Sequence, residues 1–258
     1  MNNDLQFLEC LEIDEFKINF IKNDTTITEY AKKNKLWEDW LEKYIKYSYQ
    51  QNTNMIDIGS NIGTTSLIMS RYISDNYYIH SFEPVYNKIL DMNITQNNLT
   101  NKVKIYPIGL SNKTEIVKGG IIDFSIKTNY GYTRIDDLEK TDENFEYKIY
   151  TKTLDSCNIE NVSFIKLDVE GCERKVLDGA KNTIIKYTPT ILIEIWSTST
   201  NSIKKYSEDQ RGIKSQLDIF EYLFNFGYIC IPVSPQTDDF LFIHYTKKEL
   251  LKKILDIL

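Results

Sequence analysis

The chain is poor in zinc-binding residues and lacks local clusters of them. It has two histidines, and its four cysteines, Cys10, Cys157, Cys172 and Cys230, stand apart with no CxxC or CxxxC pair. Zinc sites draw on closely spaced ligand pairs, so this spacing argues against one, and the cysteines read as reduced thiols. Long apolar runs are missing too. Nothing approaches the ~18 consecutive apolar residues of a membrane span. Met1-Asn2-Asn3-Asp4 opens no signal peptide, so the expected location is cytoplasmic. Net positive charge is absent: 31 Lys and Arg face 37 Asp and Glu, which leaves −6 and a pI near 5.2. An acidic surface repels phosphate backbones, so nucleic acid is not an expected partner. No internal repeat or low-complexity linker is visible.

What is present suits a globular α/β chain. The 258 residues, 41% hydrophobic and 26% charged, can bury a large core without disulfides or metals. Trp37, Trp40, Leu41, Tyr44 and Ile45 recur at three- and four-residue spacing, which predicts one amphipathic helix over 27–51. Residues 1–51 thus read as an N-terminal helical extension packed on a domain of residues 52–258. In that domain the rhythm changes to strand and helix in alternation. Strands are expected over 55–59, 77–82, 103–108, 164–169 and 190–196, with helices over 61–73, 84–99, 172–187 and 213–226. Residues 228–232 and 240–244 read as a closing antiparallel pair. Alternation of this kind implies right-handed βαβ units and a mostly parallel sheet. The polar stretch over about 111–154, with Gly119-Gly120 and Tyr130-Gly131-Tyr132, breaks the rhythm. Insertions in such folds sit above the carboxyl ends of the strands, which makes it a substrate-side segment whose tyrosines Tyr130 and Tyr132 can stack on a sugar ring or equally pack the loop itself.

The strongest motif is Asp57-Ile58-Gly59-Ser60-Asn61-Ile62-Gly63, directly after a strand and opening a helix. Gly59 permits a sharp turn and close ligand approach, and Gly63 permits tight helix-on-strand packing. Glu83 ends the next expected strand, where a carboxylate can accept both ribose hydroxyls of an adenosine. A dinucleotide site carries a third glycine, so that pyrophosphate can rest on the helix N-terminus. Here that position is Asn61, which suits a ligand without phosphate such as S-adenosylmethionine, with Asp57 able to meet its positively charged methionine end. The closing hairpin fits a seven-stranded Rossmann-like class I methyltransferase fold.

These stretches resemble the FkbM-type family of methyltransferases. The resemblance is carried by the glycine loop, Ser81-Phe82-Glu83-Pro84, Lys166-Leu167-Asp168-Val169-Glu170-Gly171-Cys172-Glu173, Val176-Leu177-Asp178-Gly179-Ala180 and residues 189–194. Trp37-Glu38 resembles a short aromatic-Glu element upstream of the loop. Gly109, where relatives commonly show alanine, is a small departure. The resemblance implies S-adenosylmethionine as cofactor, with Glu38, Asp57, Gly59, Ser60, Asn61, Gly63, Glu83 and Pro84 on the cofactor side. It implies O-methylation, often of a sugar hydroxyl on a glycan or glycoconjugate. Asp168, Glu170 and Glu194 fall at adjacent strand ends, where catalytic groups gather. Either a carboxylate serves as general base, or Asp168 and Glu194 hold Mg²⁺. Lys166, inside a buried strand, is expected to pair with Glu194, and Glu170 to stabilise the start of the following helix. His80 and His244 read as passive. Other acceptors, a small molecule or a protein, remain compatible, as does a non-catalytic binding module. Asp168-Val169-Glu170-Gly171 stands where amide and base methylation would need Asn/Asp-Pro-Pro-aromatic.

Overall fold

The computed structural model describes residues 5–33, 35–119, 122–133, 147–195, 210–233 and 237–257. The N-terminal segment departs from the sequence expectation. It opens with a hairpin of β1 (Leu8–Ile13) and β2 (Phe16–Ile21). The single helix expected over 27–51 is three short pieces: α1 (Ile27–Ala31), a 3-10 turn over Asp39–Leu41 and α2 (Glu42–Ser48). The first helix ends at Ala31, and Glu38, just before the 3-10 turn, has a φ of +67° that no helix accommodates. The apolar spacing is nonetheless real, since Leu41, Tyr44 and Ile45 are all buried. The hairpin had a signal of its own. Phe16, Ile18 and Phe20 alternate buried with more exposed neighbours after the Asp14–Glu15 turn.

The strands of the main sheet are β3 (Asn54–Ile58), β4 (Ile79–Phe82), β5 (Val103–Tyr106), β9 (Val162–Leu167), β10 (Thr190–Glu194), β11 (Tyr228–Pro232) and β12 (Asp239–His244). They form one sheet in the order β11-β12-β10-β9-β3-β4-β5. β12 runs antiparallel between β10 and β11, and the remaining pairings are parallel. The seven-stranded, mostly parallel α/β sheet therefore stands as expected. β6 (Gly109–Leu110), just before the 111–154 segment, pairs with β8 (Tyr147–Lys152), which pairs with β7 (Glu115–Gly119), in a separate small sheet. Gly120, residues 134–146, Trp196 and the Pro235-Gln236 part of the closing turn lie outside the described residues.

The helices follow the expected order with shorter bounds: α3 (Thr64–Ser70), α4 (Asn87–Gln96), α5 (Glu173–Gly179), α6 (Lys181–Tyr187), α7 (Gln210–Asn225) and α8 (Lys248–Leu255). The helix expected over 172–187 divides at Ala180.

Alternation along the strands sorts side chains into two cores. Met55, Phe164, Leu192 and Leu241 join the core beneath the N-terminal segment. Ile56, Ile58, Ile165, Leu167, Ile191 and Ile193 join the core on the opposite face. By the same period of two, Asp57, Lys166, Asp168 and Glu194 belong to the face that the N-terminal segment covers. That placement brings the segment to the functional site.

Candidate active site at the carboxyl ends of the strands

The chain leaves β3 through Gly59, at φ +80°. A side chain cannot stand there: a Cβ would lie 1.7 Å from the carbonyl oxygen of Asp168. The N–H groups of Gly59 and Ser60 both donate to the carbonyl of Phe82, 3.0 and 3.1 Å away, which closes the turn onto β4. Asn61, also left-handed at φ +49°, donates its N–H to Glu83 Oε2 at 2.9 Å. The other oxygen of Glu83 accepts from the N–H groups of Val85 (2.6 Å) and Tyr86 (2.9 Å). Burial pushes the Glu83 carboxyl up to about 7 despite these three donors. Glu83 is thus both a cavity wall and a clasp for two loops.

Asp57 and Gly63 do not line the cavity. Asp57 is wholly buried, accepts from Ser66 Oγ, and is raised to about 6 by burial, against the pull of Lys166. Gly63 heads α3 against Leu90. Both shape the loop from behind.

Lys166 carries the charge at the centre. It is 2% exposed, and its Nζ lies 2.9 Å from Glu38 Oε1 and 2.8 Å from Asp168 Oδ2. The expected partner, Glu194, is not its ion-pair partner, because Glu38 reaches in from above and takes that place. Thr65 Oγ1 donates to the other oxygen of Glu38. Burial alone would strip Lys166 of its proton, but Asp168, Glu38 and Asp57 together hold its pKa well above the usual lysine value. A buried cation with several carboxylates is stable only while the set is complete.

Asp168, Glu170 and Glu194 converge as the strand order required: one oxygen of each lies within 4.8 Å of the others. Burial would lift Asp168, but the Lys166 ammonium beside it holds the carboxyl below its usual range. Burial and the charge of Asp168 push Glu194 well above its own. Asp168 Oδ1 finds no donor when both acids are ionised, and a proton on Glu194 gives the pair a hydrogen bond. Glu170 and Gly171 follow at φ +56° and +98°. The helix-start role expected of Glu170 falls to Glu173, whose Oε1 accepts from the N–H groups of Gly171 (2.9 Å) and Val169 (3.3 Å). Two successive left-handed residues need such a clamp.

Glu38, Gly59, Ser60, Asn61, Glu83, Pro84, Asp168, Glu170 and Glu194 all line one cavity of about 510 Å³. Trp37, Trp40, Thr65, Lys166 and Asp239 line it as well, and sequence reasoning assigned none of these to the site. Trp37, Trp40 and Tyr30 meet edge to face with centroids 5.4–5.8 Å apart. Trp40 Nε1 donates to Asp239 Oδ2 at 3.2 Å, and burial raises Asp239 to about 6. From the 111–154 segment, Tyr132 lines the cavity. Tyr130 turns into the core, its hydroxyl bonded to the carbonyls of Asp123 and Ile126, so it offers no stacking face. His80 is buried against Tyr106, and His244 bonds Thr246; neither is among the cavity-lining residues. The four cysteines are free thiols.

An open sheet in this order, with a glycine loop at its switch point and an acid ending the adjacent strand, defines a Rossmann-like fold of the methyltransferase type. Residues 57–230 match the Methyltransferase FkbM domain, and the chain belongs to that family. No curated protein matches it. Among solved structures, it is similar to a methyltransferase FkbM from Methylobacillus flagellatus at 16% identity and TM-score 0.48, over 74% of this chain. It spans only 43% of that protein's chain. A putative caffeoyl-CoA O-methyltransferase from Staphylococcus aureus is 15% identical, with 84% of this chain and 90% of that one covered and a TM-score of 0.49. An O-methyltransferase from Bacillus cereus in complex with SAH is 13% identical, with 84% and 87% covered and a TM-score of 0.45.

Proposed function

We propose that the chain is an S-adenosylmethionine-dependent O-methyltransferase whose acceptor is a hydroxyl of a carbohydrate-bearing molecule. The observation that carries this reading is a single cavity with two chemically distinct ends. One end has the side-chain-free turn at Gly59 and the buried carboxylate of Glu83. The other has the Asp168, Glu170 and Glu194 carboxyl groups, one oxygen of each within 4.8 Å of the others. The cofactor fits the donor set: Glu83 suits two ribose hydroxyls, and among the described residues of the wall seven carboxyl groups against one lysine suit a sulfonium and an ammonium. When bound, S-adenosylmethionine supplies an electrophilic methyl group and leaves as a neutral thioether. Asp168 takes the hydroxyl proton as the new oxygen–carbon bond forms. Lys166 and Glu38 hold Asp168 ionised and in place for that transfer. The acidic cavity also favours a non-nucleic-acid acceptor, and no helix among the described residues is long and apolar enough to cross a membrane.

A metal-assisted reading rests on the three carboxylate oxygens within 4.8 Å of one another. The base reading is favoured because the Lys166 ammonium already occupies one oxygen of Asp168. Labelled cofactor, a glycan panel and mass spectrometry test the function. Asp168→Asn is expected to lower turnover by roughly 10²–10⁴ with a smaller effect on cofactor affinity. Indifference to EDTA is expected, and activity lost to EDTA and restored by Mg²⁺ would favour the metal instead. Wild-type turnover in both Asp168→Asn and Glu194→Gln would remove the proposed centre altogether.

A further inference from the structure

Two stretches of chain, 23–28 and 123–133, meet beside the Glu83 end of the cavity. The N–H of Thr25 donates to the carbonyl of Thr128 at 2.9 Å, and the N–H of Thr128 to that of Asn23 at 3.1 Å. Asn23 Nδ2 donates to the carbonyl of Phe124 at 2.8 Å. At the join stands Asp24, a carboxylate only 3% exposed. Its Oδ1 accepts the N–H groups of Thr26 (2.6 Å) and Thr28 (3.2 Å), on either side of Ile27. Its Oδ2 accepts the N–H of Tyr130 at 3.1 Å, across 106 residues of chain. Hydrogen bonds to a carboxylate are shorter and stronger than neutral ones, so three of them make a stiff joint.

Asp24 does not line the cavity, but what it holds does. Thr26 and Ile27 line it from one stretch, and Asn129, Gly131, Tyr132 and Thr133 from the other. The two sides touch at Gly131, where a Cβ would lie 3.4 Å from Ile27 Cδ1. The bare glycine lets Ile27 close against the turn.

Tyr86 shows which end of the cavity this wall serves. Its N–H donates to Glu83 Oε1 at 2.9 Å, and its buried hydroxyl donates to the carbonyl of Tyr130 at 3.0 Å. Tyr130 is thereby pinned twice, its N–H by Asp24 and its carbonyl by Tyr86. Glu83 follows β4 and Asp168 follows β9, with β3 between them. The carboxylate beside the wall is thus two strand spacings, roughly 10 Å, from the proposed methyl-transfer centre.

Resting on the S-adenosylmethionine reading above, we propose that Asp24 is the positioning residue for the adenosine end of the cofactor. It holds residues 26–27 and 129–133 as one wall against the ribose and base at Glu83. The 123–133 part of the segment expected on the substrate side then serves the cofactor.

Calorimetry with two probes tests this. One is S-adenosylhomocysteine. The other is 5′-methylthioadenosine, which keeps the adenosine and the thioether but lacks the amino-acid end. Asp24→Ala is expected to weaken both by the same factor, roughly tenfold. Asp24→Asn keeps one acceptor oxygen and should weaken both by less. Gly131→Val wedges Ile27 from the turn with Asp24 intact, and should also weaken both. If Asp24→Ala does not fold, the other two variants decide the matter. A purely structural role for Asp24 would lower the melting temperature and leave both affinities unchanged, which would overturn the proposal. So would weaker S-adenosylhomocysteine binding with methylthioadenosine unaffected, since the wall would then serve the amino-acid end. Wild-type protein that binds S-adenosylhomocysteine but not methylthioadenosine would overturn it as well. Failure of the wild type to bind either probe would discard the S-adenosylmethionine reading itself, and this proposal with it.

Discussion

Gly59 has two duties at once. Its φ of +80° costs an L-residue roughly 1–2 kcal/mol. Its missing Cβ also makes room for the Asp168 carbonyl. Gly59→Ala should therefore displace the strand end that carries the proposed base, rather than merely crowd a ligand. We expect a lower melting temperature, and loss of both cofactor binding and turnover. An alanine variant with wild-type affinity and melting temperature would contradict the packing seen here. Glu83 needs a gentler test, because it accepts three backbone N–H groups and Glu83→Ala would loosen two loops. With its carboxyl raised to about 7, it gains charge as pH rises through neutrality. Cofactor affinity measured by calorimetry should tighten from pH 5.5 toward 8, and Glu83→Gln should flatten that dependence while weakening binding on the order of 1.5–3 kcal/mol. A flat wild-type profile would place the ribose elsewhere.

At the scale of elements, two buried contacts hold the site together across long sequence distances. Lys166 on β9 and Glu38 in the N-terminal segment meet at 2.9 Å, so the segment is bolted to the sheet at its charged centre. Lys166→Met leaves Glu38 and Asp168 buried without their cation, a loss of about 3–5 kcal/mol. Adding Glu38→Gln to Lys166→Met should recover part of it. Denaturant unfolding of the two single variants and the double variant measures the coupling, and strict additivity would show that the pair contributes nothing. Glu173 does the analogous job locally, holding the Val169–Gly171 turn from the first turn of α5. Glu173→Ala should cost roughly 1–3 kcal/mol and lower turnover by misplacing Asp168 and Glu170.

The whole molecule stores protons on buried acids. Asp57, Glu83, Glu173 and Asp239 lie at about 6, 7, 7 and 6, all above their ordinary values because burial disfavours the charge. Between about pH 4 and 7 the folded chain then binds more protons than the unfolded chain, so stability falls as pH rises through that window. Each pKa unit amounts to about 1.4 kcal/mol. Asp168, held low by Lys166, and exposed Glu15, held low by Arg71, work the other way and lose stability as pH falls. The melting temperature should drop by several degrees from pH 5.5 to 7.5. A rise over the same interval would mean that these acids are solvated rather than buried.

Periodicity and strand-end logic alone determined the α/β class, the parallel sheet, the closing hairpin and the convergence of Asp168, Glu170 and Glu194. These follow from local rules: apolar alternation, glycine at a βα turn, and the placement of strand ends in an open sheet. The period of the 37–45 stretch was equally local and correct about burial, but it could not reveal the break at Glu38. There Glu38 meets Lys166, 128 residues away, a buried contact that local helix propensity does not register. For the same reason the partner of Lys166, the turn of Tyr130 into the core, and the meeting of Trp40 with Asp239 left no mark in the sequence. A side chain's partner across the fold depends on which surfaces pack together, and only the tertiary structure decides that.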